Sequence, residues 1–143
     1  MDKYEPLKLT NQLCFPLYAA SREIVKRYKP FLDRLDLTYT QYITLLVLWE
    51  HEQITSKELG QRLHLDSGTF TPVLKKLEEK GLVTRSRDAS DERNLLVTLT
   101  DAGKALKDEA LSVPLAMSGC FSLEPEEALT LYRLLYKLLD QAE

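Results

Sequence analysis

Residues 55–100 read TSKELGQRLHLDSGTFTPVLKKLEEKGLVTRSRDASDERNLLVTLT, and this stretch decides the fold. Thr55-Ser56-Lys57-Glu58 has the spacing of a capping box and opens a short helix through Leu59 and Leu63. A tight turn follows around His64-Leu65. Asp66 then caps a second helix, which Gly81 closes as a C′ residue able to turn left-handed. Beyond Gly81 the period changes from helical to alternating. Val83, Arg85 and Arg87 alternate with Leu82, Thr84 and Ser86, and Leu95, Val97 and Leu99 alternate with Leu96 and Thr98. The six residues between these runs, Asp88 to Arg93, form a charged hairpin tip. Helix, turn, helix and then a charged β-hairpin is a winged helix-turn-helix.

Outward from this unit the chain reads as helix on both sides. Upstream, Leu13, Leu17, Tyr18, Ile24, Val25 and Tyr28 recur at near-helical spacing. Pro16 starts or kinks that helix, and Pro30 ends or bends it. A second helix follows Leu37-Thr38-Tyr39-Thr40, with Thr38 or Thr40 as its cap. Its apolar residues nearly encircle it, so it is placed centrally. Downstream, Thr100-Asp101 caps a helix broken near Pro114, and Pro125 sits in the first turn of a Leu-rich final helix. So much apolar surface on a terminal helix needs a partner. Pairing of the first and last helices across a two-fold axis is the expected dimer interface. The fold class is therefore mainly α with a small β-hairpin wing. The whole of 1–143 forms a single domain, with a DNA-binding lobe at about 37–100 and dimerisation helices at about 1–36 and 101–143.

Composition narrows the function classes. The 143 residues carry a net charge of −3, which does not announce a nucleic-acid partner. Residues 56–93 hold eight Lys/Arg against seven Asp/Glu, leaving −4 on the rest, a small basic surface on an acidic body. The apolar runs are too short to span a bilayer, and the start MDKYEPLKLT has no apolar signal region, so a cytoplasmic location is expected. Two Cys and two His at scattered positions form no zinc pattern, and no cofactor is expected. Paired catalytic carboxylates, a phosphate loop and a Ser/His/Asp arrangement are all missing from the pattern, so the chain does not read as an enzyme.

On the helix from Asp66, the face away from Phe70, Val73, Leu74 and Leu77 offers Ser67, Gly68, Thr69, Thr71, Pro72, Lys75 and Lys76. Small polar groups at a helix start let the backbone approach base edges, and the two lysines fall where they can meet phosphates. Such a face on an isolated helix is ordinary solvated surface, and it is the adjoining hairpin that favours DNA. In the hairpin, Arg85, Arg87 and Arg93 suit a narrow minor groove, with Asp88 or Asp91 pairing an arginine to hold it straight. Read alone, the hairpin could equally be plain surface with weak ion pairs.

Asp91-Glu92-Arg93-Asn94 followed by Leu95-Leu96-Val97-Thr98-Leu99-Thr100 resembles the wing signature of the MarR family of bacterial regulators. Asn11 to Arg22 (NQLCFPLYAASR), Leu37 to Tyr42 and Leu65 to Thr69 are similar to the OhrR branch, the organic-hydroperoxide sensors. The resemblance implies a homodimeric repressor on double-stranded, pseudo-palindromic operator DNA. It also implies that Cys14 is the peroxidatic cysteine, its sulfur hydrogen-bonded by Tyr28 and Tyr39. Peroxide is attacked by thiolate, which phenolic donors favour, and Leu13, Phe15 and Leu17 suit an organic hydroperoxide. On a continuous helix Cys14 and Tyr28 would lie about 21 Å apart at about 1.5 Å per residue. Either the chain bends sharply or Tyr28 meets Cys14 of the other subunit, and the second is favoured. Tyr18, one turn from Cys14, is the same-chain candidate. Cys120 lies where some members of the branch carry a resolving cysteine, and an incidental thiol is as good a reading. The rival functions are a MarR-type repressor answering a small aromatic ligand and a thiol peroxidase using Cys14 in turnover.

Overall fold

A computed structural model describes residues 2–87, 89–90 and 94–140. The expectations for Asp88, Asp91 and Arg93 fall outside the described residues. Helix α1 is Cys14–Asp33 and helix α2 Tyr39–His51. Of the two threonines, Thr38 caps α2: its hydroxyl accepts from Gln41 N, and the Gln41 side chain accepts from Thr38 N, a complete capping box. The buried side of α2 carries Tyr42, Leu45, Leu48 and Trp49, with Leu45 and Leu48 wholly inaccessible. Full burial of one such leucine stabilises by about 1.5–3 kcal/mol. Thr44 is equally buried, its hydroxyl satisfied by the Thr40 carbonyl at 2.7 Å.

The helix-turn-helix forms as the sequence predicts. Strand β1 is Gln53–Thr55, helix α3 Ser56–Arg62 and helix α4 Ser67–Glu79. Thr55 accepts from Glu58 N at 3.2 Å, and Asp66 accepts from Thr69 N at 2.8 Å. The turn between α3 and α4 is tightened by His64 at φ 54° and by Leu65 N donating to the Gly60 carbonyl. Gly81, at φ 76°, ends the α4 region in the left-handed conformation that glycine adopts without strain. Strands β2, Val83–Arg87, and β3, Leu95–Leu99, form the antiparallel hairpin. The sheet has a third strand that the sequence did not reveal. β1 pairs with β3, Ile54 opposite Val97, in the order β1-β3-β2. Three residues are too few to show an alternation.

Helix α5 is Asp101–Ala110, capped by Thr100 as expected; α6 is Ser112–Ser118 and α7 Pro125–Asp140. The structure places both Pro30 and Pro114 within helices. Pro30 lies inside α1, which continues to Asp33, so the proline does not end the helix. The break after α5 falls at Leu111, and Pro114 sits in the first turn of α6, where its missing N–H costs nothing. Helix α7 buries no residue at all, and it exposes Leu129, Leu131, Tyr132, Leu134, Tyr136 and Leu138. At the other end of the chain Leu13, Phe15, Leu17 and Tyr18 are also exposed.

Helix α5 approaches the sheet through Gly103. A Cβ there would stand 2.3 Å from the Leu82 carbonyl oxygen and 2.6 Å from Leu99 Cδ1. The same glycine's carbonyl accepts from the buried Trp49 indole at 2.9 Å. Gly103→Ala should therefore push α5 off the sheet and cost about 3 kcal/mol, the upper end of overpacking effects. Urea unfolding monitored by Trp49 fluorescence measures this, and an unchanged midpoint would contradict it.

Candidate functional site

Two groups of side chains stand out from the packed body. The first is the outer face of α4. Ser67, Gly68, Thr69, Thr71, Pro72, Lys75 and Lys76 are all exposed, while Phe70, Leu74 and Leu77 anchor the opposite face in the core. A groove of about 310 Å³ runs beside this face, lined by Ser56 and Lys57 of α3, Ser67 and Thr71 of α4, and Arg85 of β2. Phe70, Leu74 and Leu95 make its floor largely apolar, with the hydroxyls and cations set around them.

Arg85 makes a contact that its sequence position did not imply. Its guanidinium bonds Glu78 Oε1 through both Nε (3.3 Å) and Nη2 (3.0 Å), and its backbone N–H donates to Glu78 Oε2 at 3.0 Å. One glutamate on α4 thus grips the first wing strand by main chain and side chain together. These bonds from Arg85 hold the Glu78 carboxyl below the usual carboxylate range. Arg85 is a brace between helix and wing, whereas Arg87 is exposed at the end of β2. The partnership could not be read from sequence, since a separation of seven residues across a helix-to-strand change specifies no contact.

The second group is a cluster of tyrosines. Tyr28 of α1 and Tyr39, the first residue of α2, have ring centroids 4.8 Å apart and are tilted by 45°. Tyr42 completes the cluster at 5.9 Å from Tyr28 and 6.4 Å from Tyr39. Tyr42 was not among the expected site residues, although its place three residues after Tyr39 puts it on the same helix face. Burial pushes all three phenols upward, and the nearby Tyr28 raises Tyr39 and Tyr42 further. All three are therefore protonated at neutral pH and present O–H donors.

The structure does not bring Cys14 to these tyrosines within one chain. Helix α1 is continuous from Cys14 through Tyr28, so the two lie about 21 Å apart along its axis. Cys14 is exposed at the first position of α1, facing the partial positive charge of the helix start. Tyr18 is exposed too, and its ring packs against the Arg22 guanidinium at 5.6 Å. Cys120 is half-buried; its thiol points to the Ala116 carbonyl at 3.5 Å, and its own carbonyl accepts from the Arg27 guanidinium. Arg27 adjoins Tyr28, which sets Cys120 level with the tyrosine cluster and far along α1 from its own Cys14.

Residues 26–110 match the family described as transcriptional regulator SarA/Rot. Over 139 residues the chain is 50% identical to the organic hydroperoxide resistance transcriptional regulator of Bacillus subtilis strain 168, covering 97% of this chain and 95% of the relative. Among solved structures it is similar to reduced AbfR bound to DNA, with a TM-score of 0.78, 39% identity and coverage of 99% of this chain and 100% of that one. It is also similar to the disulfide form of AbfR, a protein of Staphylococcus epidermidis, with a TM-score of 0.66, 40% identity and 96% of each chain covered.

The tyrosine cluster predicts a spectroscopic result. A phenol whose folded value is raised stabilises the fold below its ordinary value and loses that contribution as pH rises through the folded value. Tyr28→Phe should remove one late-ionising phenol and let Tyr39 and Tyr42 ionise at lower pH, because the charge that opposed them is gone. Tyrosinate absorbance during alkaline titration measures this, and a curve that keeps its late phase intact would refute the coupling.

Proposed function

The chain belongs to the MarR family of winged-helix transcriptional regulators, in the branch of organic-hydroperoxide regulators, and we propose that it is a homodimeric repressor switched by oxidation of Cys14. The observation that carries this reading is the unbroken α1. It holds an exposed Cys14 about 21 Å from a cluster of protonated tyrosines, so that only a second copy can bring thiol and phenols together. The exposed leucines of α7 and the apolar start of α1 supply the surface for that pairing.

In the reduced dimer the two α4 helices enter successive major grooves of operator DNA. Ser67, Gly68, Thr69, Thr71 and Pro72 lie at the base edges, and Lys75 and Lys76 at phosphates. Arg87 and Arg93 serve the wing, with Asp88 or Asp91 in support, and Arg85 fixes the wing to α4. Residues of about 37–100 form the DNA-binding lobe, and about 1–36 and 101–143 the dimerisation region.

Oxidation begins at the Cys14 thiolate, which Tyr28 and Tyr39 of the other subunit stabilise by donating hydrogen bonds. The sulfur attacks the terminal peroxide oxygen; an S–O bond forms, the O–O bond breaks, and the departing alkoxide takes a proton to leave as alcohol. Cys14 becomes a sulfenic acid. The Cys120 thiol of the other subunit then attacks that sulfur, forming a disulfide and releasing water. Either change alters the dimer interface and with it the separation of the α4 helices, which a fixed half-site spacing does not tolerate. Among the described residues no helix is long and apolar enough to cross a membrane. We place the protein in the cytoplasm and assign it no turnover, in keeping with its likeness to transcriptional regulators.

A mobility shift with operator DNA, with and without cumene hydroperoxide, tests the reading. Wild type should release DNA on oxidation. Cys14→Ser should bind with a Kd within about threefold of wild type, under 1 kcal/mol, and should keep its DNA at every peroxide dose. If the serine variant releases DNA as wild type does, Cys14 is not the sensor. Cys120→Ser should still release DNA but lose the intersubunit crosslink on non-reducing gels; absence of that crosslink in wild type would make Cys120 incidental.

A further inference from the structure

A part-buried polar contact lies between the tyrosine cluster and the DNA-facing helix, and neither part of the site has used it. Lys80 is the C-cap of α4. Its ammonium donates to Gln41 Oε1 at 2.9 Å and to the Asp36 carbonyl, with the Asp36 carboxylate 3.7 Å away. The Lys80 side chain is only 26% exposed, and Gln41 as a residue is 6% exposed. The same Gln41 oxygen accepts from Thr38 N at 3.1 Å, closing the capping box that starts α2. Between Thr38 and Gln41 sits Tyr39, stacked on Tyr28. Asp36 belongs to the turn that delivers the chain from α1 to α2, and it holds φ at 55°, a left-handed value that tolerates little adjustment.

We propose that Lys80 is a positioning residue that couples the tyrosine pocket to the recognition helix. Movement of Tyr39 displaces the first turn of α2. That turn carries Gln41, and Gln41 shares one amide oxygen between the α2 cap and the α4 terminus. A shift that keeps the cap bond must drag or break the bond to Lys80. Breaking it costs a partly buried ammonium one of its two close oxygen acceptors, the other being the Asp36 carbonyl, so the two ends are favoured to move together. Directly after Lys80 the chain turns at Gly81 into the wing strand, so a displacement at Lys80 reaches both DNA-facing elements.

This inference rests on Cys14 sensing at Tyr28 and Tyr39, and its test separates the two. Full-length Lys80→Met and Lys80→Arg are compared with wild type, using an operator selected in vitro by wild type and cumene hydroperoxide as oxidant. Three quantities are read: the rate of Cys14 thiol loss, and operator Kd before and after oxidation. In Lys80→Met the thiol should oxidise at the wild-type rate, while the ratio of oxidised to reduced Kd falls by about tenfold. Lys80→Arg keeps a charged donor and should retain the ratio. An unchanged ratio in Lys80→Met, or an equal loss in both variants, overturns the coupling while leaving the sensor intact. Wild type that keeps its DNA after Cys14 is oxidised overturns the sensing reading and this inference with it. Should Lys80→Met fail to fold, hydrogen exchange on wild type decides. Oxidation should speed exchange at residues 38–41 and 80–82 together, and a change confined to the first segment overturns the proposal.

Discussion

The burial of α2 is the constraint on which the rest of the molecule depends. Its Leu45, Leu48 and Trp49 form the floor on which the other elements rest, and its first turn carries Tyr39 and Gln41. Helix α4 docks there through Leu74 and Leu77, and α5 is tied there by the Trp49 indole and by Lys107 reaching the Trp49 carbonyl. A helix this deeply enclosed cannot shift by one side chain at a time, because the packed interior around it has little void to absorb the movement. Any signal that reaches its first turn is therefore passed to whole elements.

Against that fixed centre, α1 and α7 are incomplete. Each presents apolar surface that one chain leaves in water, and α1 carries its thiol at one end and its tyrosine near the other. The geometry divides the proposed sensor between two chains. Each α1 serves one site with its first residue and the other site with its second half. On that proposal, loss of the dimer removes oxidant sensing as well as the paired reading heads.

The sequence disclosed what is local. Thr38, Thr55, Asp66 and Thr100 each cap the helix they were expected to cap, and Gly81 takes the positive φ expected of it. These features are set by residues within four positions of one another, so spacing reveals them. What stayed hidden depends on distant partners: β1 as a strand, Tyr42 as the third ring, the grip of Glu78 on Arg85, and the reach of Lys80 to the α2 cap. Pro30 left open in sequence whether α1 ends or bends there, and the helix runs on to Asp33. For the site, the resemblance to the peroxide-sensing branch marked out Cys14, Tyr28 and Tyr39, and the proposal that they meet across two copies rests on the unbroken length of α1.

The grip of Glu78 on Arg85 has a consequence for acidity. A carboxylate whose folded value is depressed contributes stability above its ordinary value and loses it only as pH falls through the lower, folded one. The wing therefore stays fastened to α4 through a range of mild acid in which unpaired carboxylates have already taken up protons. Glu78 is partly exposed, so the energy involved is small and screened by salt. Its effect is on geometry: the angle between helix α4 and the wing is held by a bond that persists to lower pH than an ordinary carboxylate would allow.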